Sequence, residues 1–368
     1  MNPDERVQAV YHGKVPDQVP LMLDLSHWYK KNMNVPFDLS GFTEVEQGLV
    51  DLHKQVGAVA YVEMGGFYSV HSEDPQVQIE STTADGVFST RISTPVGTLH
   101  EERVFNSGSY SYGIRKHLLE STDDFQVVEF LMAQLQCRPK WELYEAWQNA
   151  LGDLAYPYAQ LPYSGSGYLA ARNFGVEKTV YATLDEPERV HQLVDAVNAC
   201  NLRILDAIID GPFEVLFISD NYDSNVQPKD FFDAYVRDYY TEVAHRLHEK
   251  GKYLAIHVDG ESRGILGWLA ECGVDCADAL TPSPMFAHTA AEMREDAGSD
   301  LILSGGIPAT IFGPGATDTE FAECVKRWLD TRKESARLIM AAGDQVPIEA
   351  PLERILMLRE LVDSHGRF

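Results

Sequence analysis

The chain has 368 residues, 45% of them hydrophobic, with 30 basic and 56 acidic side chains and a formal charge of −26. That apolar share supports a sizeable core and excludes a disordered chain. The acidic balance repels phosphate backbones and anionic membranes, so nucleic acid is not an expected partner. No run of about 18 apolar residues is present for a membrane span. The opening MNPDERVQAVYHGK lacks a signal-peptide core, which places the protein in the cytoplasm by expectation.

Taken in chain order, short apolar runs alternate with amphipathic helices. VPLMLDL (19–25) predicts a first strand. TEVEQGLVDLHKQVG follows as a helix, with Thr43 and Glu46 at capping-box spacing and Gly57 at its end. AVAYVEM (58–64) predicts a second strand. An insertion of about 66–118 then contains the alternating stretch 77–105, which turns at Asp85-Gly86 and predicts an antiparallel β-hairpin. Extra helices are expected near 121–150, before the third strand LAYPYAQL (154–161). SGSGYLAAR (164–172) falls short of a full phosphate-binding glycine pattern and is read as a loop.

Residues 185–208 predict a long helix with proline in its first turn. EVLFISD (214–220), YLAIHVD (253–259), CADAL (276–280), LILSGGI (301–307) and RLIMAAGD (337–344) complete eight strand candidates. Before the last, TDTEFAECVKRWLD shows Thr317 and Glu320 as a cap, then Phe321, Cys324, Val325, Trp328 and Leu329 along one helical face. Nearly continuous apolar strands suit a parallel sheet covered on both sides. Eight of them alternating with helices predict an α/β fold, a (β/α)8 TIM barrel forming one domain over 1–368. The five cysteines, Cys137, Cys200, Cys272, Cys276 and Cys324, read as core residues rather than a disulfide or zinc framework.

Functional groups in such a barrel gather at the C-terminal ends of the strands, where this sequence places Asp24, Glu63, Asp220, His257, Asp259 and Asp344. Residues i and i+2 of a strand share a face, so His257 and Asp259 project together into the barrel mouth. An imidazole and a carboxylate are ordinary zinc ligands, and Asp344 is the third candidate by position. The same spacing equally serves a hydrogen bond that holds the mouth together. Several carboxylates in one cleft require a raised pKa or a cation, which makes Glu63 a candidate acid or base. Asp24 and Asp220 also read as caps of the segments that follow. Asn221 and Tyr222 are candidates to orient a polar substrate, whereas His27, His53 and His71 read as surface or structural.

RVQAVYHGKVPDQVP, TPVGTLHEERVF, FISDNYDSNVQPKDF, HVDG, GGIPATIFGPGATDTEF and AAGDQVPIEAPLERI occur in an order that resembles the uroporphyrinogen decarboxylase superfamily, including its corrinoid-linked methyltransferases. The resemblance spans nearly the whole chain and implies the same barrel. Methyltransferase relatives carry a zinc site of the form His-x-Cys-Gly plus a late cysteine. The matching positions here are His257, Asp259 and Asp344, with both thiolates replaced by carboxylates. Such a harder ligand set suits zinc first, then manganese or another divalent ion, with Lewis-acid work or water activation. The resemblance further implies a small-molecule substrate, a corrinoid protein or small methyl carrier as partner or co-substrate, and a homodimer.

Decarboxylase relatives hold acetate side chains with an arginine-rich segment after strand one, which here reads DLSHWYKKNMN. Glu63 matches their aspartate after strand two, Asn173 stands at the catalytic tyrosine and Asp344 at the late histidine. In a decarboxylase-like reading Tyr168 and the carboxylates handle protons, and Arg91, Arg115 or Arg172 must turn inward to bind substrate. A non-catalytic corrinoid- or ligand-binding barrel is the remaining alternative. The methyltransferase branch is the leading expectation, with Glu63, Asp220 and Tyr168 as catalytic candidates and Asp24, Asn221, Tyr222 and Arg172 as substrate contacts.

Overall fold

Each apolar run becomes a buried parallel strand. In chain order these are β1 (Met22–Leu23), β2 (Val59–Ala60), β3 (Tyr158–Leu161), β4 (Val215–Ile218), β5 (Tyr253–His257), β6 (Cys276–Leu280), β7 (Ile302–Ile307) and β8 (Leu338–Ala342). The structure is a computed structural model and describes all residues except 36–41, 62–66 and 157. Strands β3 to β8 lie side by side in sequence order as one six-stranded parallel sheet, and β1 pairs with β2 as a second. Single parallel bridges, Leu21 to Met340 and Ala60 to Ala155, link the flanks of that pair to β8 and to the approach to β3. The described hydrogen bonding therefore resolves into two sheets and two bridges rather than one continuous closed ladder.

The helices start and stop where their local chemistry dictates. Thr43 with Glu46 and Thr317 with Glu320 each form a reciprocal capping box, and Gly57 ends the first of these helices at φ 72°. Helix Asp318–Asp330 buries Phe321, Cys324, Val325, Trp328 and Leu329, the face its spacing marks out. Helix Pro187–Ile208 begins on its proline, whose missing N–H costs nothing in a first turn. Four cysteines are buried, Cys137 is half-buried, and all five are free thiols.

The insertion is larger than a hairpin. Strands Gln78–Ala84, Val87–Thr94, Gly97–Asn106 and Ser111–Lys116 make a four-stranded antiparallel sheet, turning at Asp85 and Gly86 with positive φ at both. The helical expectation over 121–150 is interrupted: helices Phe125–Gln134 and Trp141–Leu151 flank a strand, Leu135–Pro139, which pairs with Tyr68–Ser72. Only the partner strand, 63 or more residues earlier, supplies the ladder that overrides local helix preference there. The stretch 164–172, expected as a loop, is helical: a turn over Gly165–Gly167 runs into a wider turn over Tyr168–Asn173. Its glycines serve packing rather than phosphate. A side chain at Gly165 would meet backbone atoms of Val194 at 2.5 Å.

His53 is fully buried in helix Glu44–Val56, its Nδ1 3.2 Å from the Ala58 carbonyl and its Nε2 without a partner among the described residues. Burial lowers its pKa to about 4 against the weaker pull of that carbonyl. The unfolded chain takes up the proton near pH 6.5 and the folded chain only near 4. Stability is therefore fully present above about pH 6.5 and is lost as pH falls toward 4, by roughly 3 kcal/mol from this group. Urea unfolding between pH 7 and 4 is expected to show that slope, and His53→Gln to flatten it.

Candidate functional site

Alternation along the strands decides which candidates meet. Met22, Tyr61, Tyr158, Val215, Phe217, Ala255 and Asp278 line one small interior cavity, which identifies the inward face of β1 to β6. Two residues further along each strand, that face carries Asp24, Gln160, Ser219 and His257. Asp220 is one residue out of phase and points the other way, into the helical layer. Its Oδ1 accepts from the Ser164 amide at 2.8 Å and its Oδ2 from the Tyr240 hydroxyl at 2.6 Å, with only 1% of the residue exposed. Burial raises its pKa, opposed by those hydrogen bonds.

His257 ends β5 as a buried residue at the mouth. Its Nδ1 lies 3.3 Å from Asp278 Oδ2 and its Nε2 3.8 Å from Asp344 Oδ1. The same Asp278 oxygen accepts from the Tyr61 hydroxyl at 2.7 Å. An ionised carboxylate only accepts, so the Nδ1 proton is assigned to the His257–Asp278 contact. Phe217 presents itself edgewise to the imidazole, with centroids 5.7 Å apart. Desolvation opposes charging His257, but the Asp278 hydrogen bond and the charges of Asp344, Asp278 and Asp259 outweigh it and lift the pKa to about 9.

Around this ring the mouth is acidic. Asp259 and Asp344 are exposed at its rim. Desolvation in the cleft and the charges of Asp344 and Asp223 raise the Asp259 pKa, while His257 lowers it. Asp24 is half-buried, receives the Ser26 amide at 2.7 Å and so starts helix Ser26–Asn32. Desolvation, opposed by Ser26, and the charge of Asp344 lift its pKa to about 6. His27, expected to stand apart, sits close enough to feel Lys30 and Asp344, and burial lowers its pKa to about 4.

Other candidates are not brought to this point. Tyr222 is fully buried, its hydroxyl donating to the Gln227 carbonyl at 2.9 Å, so it shapes the loop after β4 rather than facing the mouth. Asn221 is exposed beside it at φ 50°. Burial raises the Tyr168 pKa, and the groups acting on it are Glu101 and Cys200, on the insertion sheet and helix Pro187–Ile208. Arg172 is half-buried on the same helical turn. Arg91 is exposed and Arg115 pairs with Glu102 at 3.4 Å, so neither turns inward. Glu63 lies outside the described residues.

Sequence reasoning missed Asp278 and Tyr61, and also Gln160 and Ser219, which hydrogen-bond across β3 and β4 inside the mouth. The available signal was an acid in CADAL, a strand otherwise built for burial. Among the described residues no three His, Cys, Asp or Glu side chains are gathered closely enough to hold a metal ion. None of the described helices is long and apolar enough to cross a membrane.

The fold is similar to that of a methyltransferase from Methanosarcina mazei, with a TM-score of 0.64 over 99% of both chains at 13% sequence identity. At that identity the likeness concerns the fold alone. No curated protein sequence matches the chain. The sequence model for uroporphyrinogen decarboxylase (URO-D) matches residues 162–365. That span exceeds half the chain and takes in β4 to β8, with His257, Asp278 and Asp344 inside it. By that match the chain belongs to the uroporphyrinogen decarboxylase family.

Proposed function

We propose that the chain is an enzyme of the methyltransferase branch of this family, acting on a small molecule at the mouth of a (β/α)8 barrel. The two parallel sheets and the bridges that join their flanks support reading the eight strands as one barrel wall. In this reading His257, Asp259 and Asp344 hold a divalent ion, zinc first and manganese next, and a corrinoid protein or small carrier brings or removes the methyl group. The observation that carries it is the convergence of His257 and Asp344, 87 residues apart in the sequence, with their donor atoms 3.8 Å apart.

The donor set fits a metal in kind and, for two members, in spacing. Two ligands at about 2.0–2.2 Å from one ion span such a gap. Asp259, exposed on the same rim, has to swing toward them to complete the set. A bound ion of this type supplies Lewis acidity toward a substrate oxygen or thiol. The chain's own residues do the rest. Asp278 keeps a proton on Nδ1 and leaves Nε2 facing the mouth. Phe217 and Tyr61 exclude water beneath the imidazole, their rings 5.5 Å apart. The rim carboxylates favour a neutral or cationic substrate and repel a polyanion.

Metal analysis of protein purified without chelator tests this reading. We expect close to one equivalent of zinc or manganese, reduced by at least about tenfold in Asp344→Asn. Less than a tenth of an equivalent in the wild-type chain, with no uptake on adding either ion, would reject it. Corrinoid partnership is read separately, by spectral titration with methylcobalamin alongside a turnover assay.

The lack of a gathered three-ligand group among the described residues favours one second reading. In it the chain works without metal as a carboxy-lyase, with His257, held between Asp278 and Asp344, passing a proton to the substrate. The acidic rim and the outward Arg91 and Arg115 speak against an eight-carboxylate porphyrinogen as its substrate, so incubation with uroporphyrinogen is expected to give no product.

A further inference from the structure

The geometry points to Asp278 as a positioning residue for His257, set in place by a strained bulge in β6 that also anchors the loop bearing Asp344. This rests on His257 being the working group of the mouth, as proposed above. Asp278 is 4% exposed, and its Oδ2 accepts from both the Tyr61 hydroxyl and the His257 ring. Its backbone is paired directly opposite His257, and its carbonyl accepts the Val258 amide at 2.9 Å. The ring and its acceptor are thus held by adjacent rungs of one ladder.

The strand departs from regular geometry just beyond. The β6–β7 register shifts between Ala277 and Leu280, and Ala279 takes φ 60°, a left-handed conformation costly for alanine. Thr281 locks the bulge: its Oγ1 stands 3.3 Å from the Ala279 carbonyl and donates to the Gly343 carbonyl at 3.1 Å. Gly343 immediately precedes Asp344, and a Cβ there would lie 2.0 Å from Thr281 Oγ1. Gly305 is equally constrained, since a Cβ would meet Leu280 backbone atoms at 2.3 Å. A strained non-glycine residue persists only where its surroundings over-determine it. Here those surroundings tie the group behind His257 to the loop in front of it. Tyr61 completes the arrangement by donating to the same oxygen, Oδ2, that faces His257, which holds that oxygen at the ring.

The consequence is a fixed ring: Nδ1 keeps its proton against Asp278 whether the imidazole is charged or neutral, and Nε2 stays directed at the rim. Nitrogen-15 histidine labelling of the full chain without added metal, with His257 assigned from His257→Asn, reads this directly. We expect a slowly exchanging Nδ1–H proton on His257, absent from Asp278→Asn and exchanging faster in Tyr61→Phe, while thermal unfolding of Tyr61→Phe stays within a few degrees of wild type. Zinc affinity, by chelator competition, is expected to fall about 10–100-fold in Asp278→Asn. An unprotected Nδ1 in the wild-type chain, or a protected one that survives Asp278→Asn, overturns the assignment. Failure of the wild-type chain to bind zinc would instead sink the metal reading and leave the ring-proton result standing.

Discussion

His257→Ala is expected to abolish turnover and metal retention together and to destabilise the fold. The imidazole is the group on which Asp278 from within and Asp344 from the rim converge. Removing it leaves Asp278, almost wholly buried, with the Tyr61 hydroxyl still donating to it but without the imidazole. A buried carboxylate stripped of its charged partner costs on the order of 3 kcal/mol. His257→Asn separates the two effects. Its amide nitrogen reaches roughly the Nδ1 position and continues to donate to Asp278, but nothing replaces Nε2. We expect the asparagine variant to recover most of the lost urea midpoint and none of the lost metal retention. If the alanine variant keeps a full equivalent of metal, the ligand set is wrong. If it unfolds at the wild-type midpoint, the buried pair is weaker than its geometry implies.

Asp220→Ala is expected to lose stability without losing the mouth. At the end of a strand, followed by Asn221 and Tyr222, this aspartate has every outward sign of a catalytic acid. Its carboxylate instead bridges two layers, receiving the Ser164 amide that opens the helical turn after β3 and the Tyr240 hydroxyl from helix Arg237–Glu249. Alanine leaves both donors buried and unpaired, a loss of about 3 kcal/mol at roughly 1–3 kcal/mol per orphaned group. Asp220→Asn keeps an oxygen for Ser164 and lets Tyr240 accept from the new amide, so its cost is expected below about 1 kcal/mol. Urea unfolding distinguishes the two variants, and metal content is expected to stay at the wild-type value in both. A loss of turnover in Asp220→Asn at unchanged stability would return the residue to the chemistry.

The contrast between His257 and Asp220 shows what sequence order alone conveys. Strand positions and helix caps are local properties: apolar runs of 4–8 residues, Thr/Glu spacing and a terminal glycine act within one element, and they placed six of the parallel strands within a few residues of where the fold has them. The two-residue period reaches His257 but stops there, because the strand ends on it and Asp259 lies in the segment beyond. Phase is harder to read. Asp220 and His257 both close an apolar run, yet one extra residue turns Asp220 from the interior to the helical layer, and only the register of β4 between its neighbours sets that phase.

Long-range contacts decided the remainder. The strand Leu135–Pro139 exists because Tyr68–Ser72 offers it a ladder, against a helical background. Asp278 reads as one acid among the alanines of CADAL until β6 is laid beside β5, which sets it directly opposite His257. By itself the sequence determined the alternation of buried strands and capped helices, the acidic surface, and a histidine and carboxylates at strand ends, because each depends on neighbours within a turn or a strand. Tertiary structure alone decided which of those carboxylates meet the imidazole, because that depends on register and strain between segments that touch only once the chain is folded.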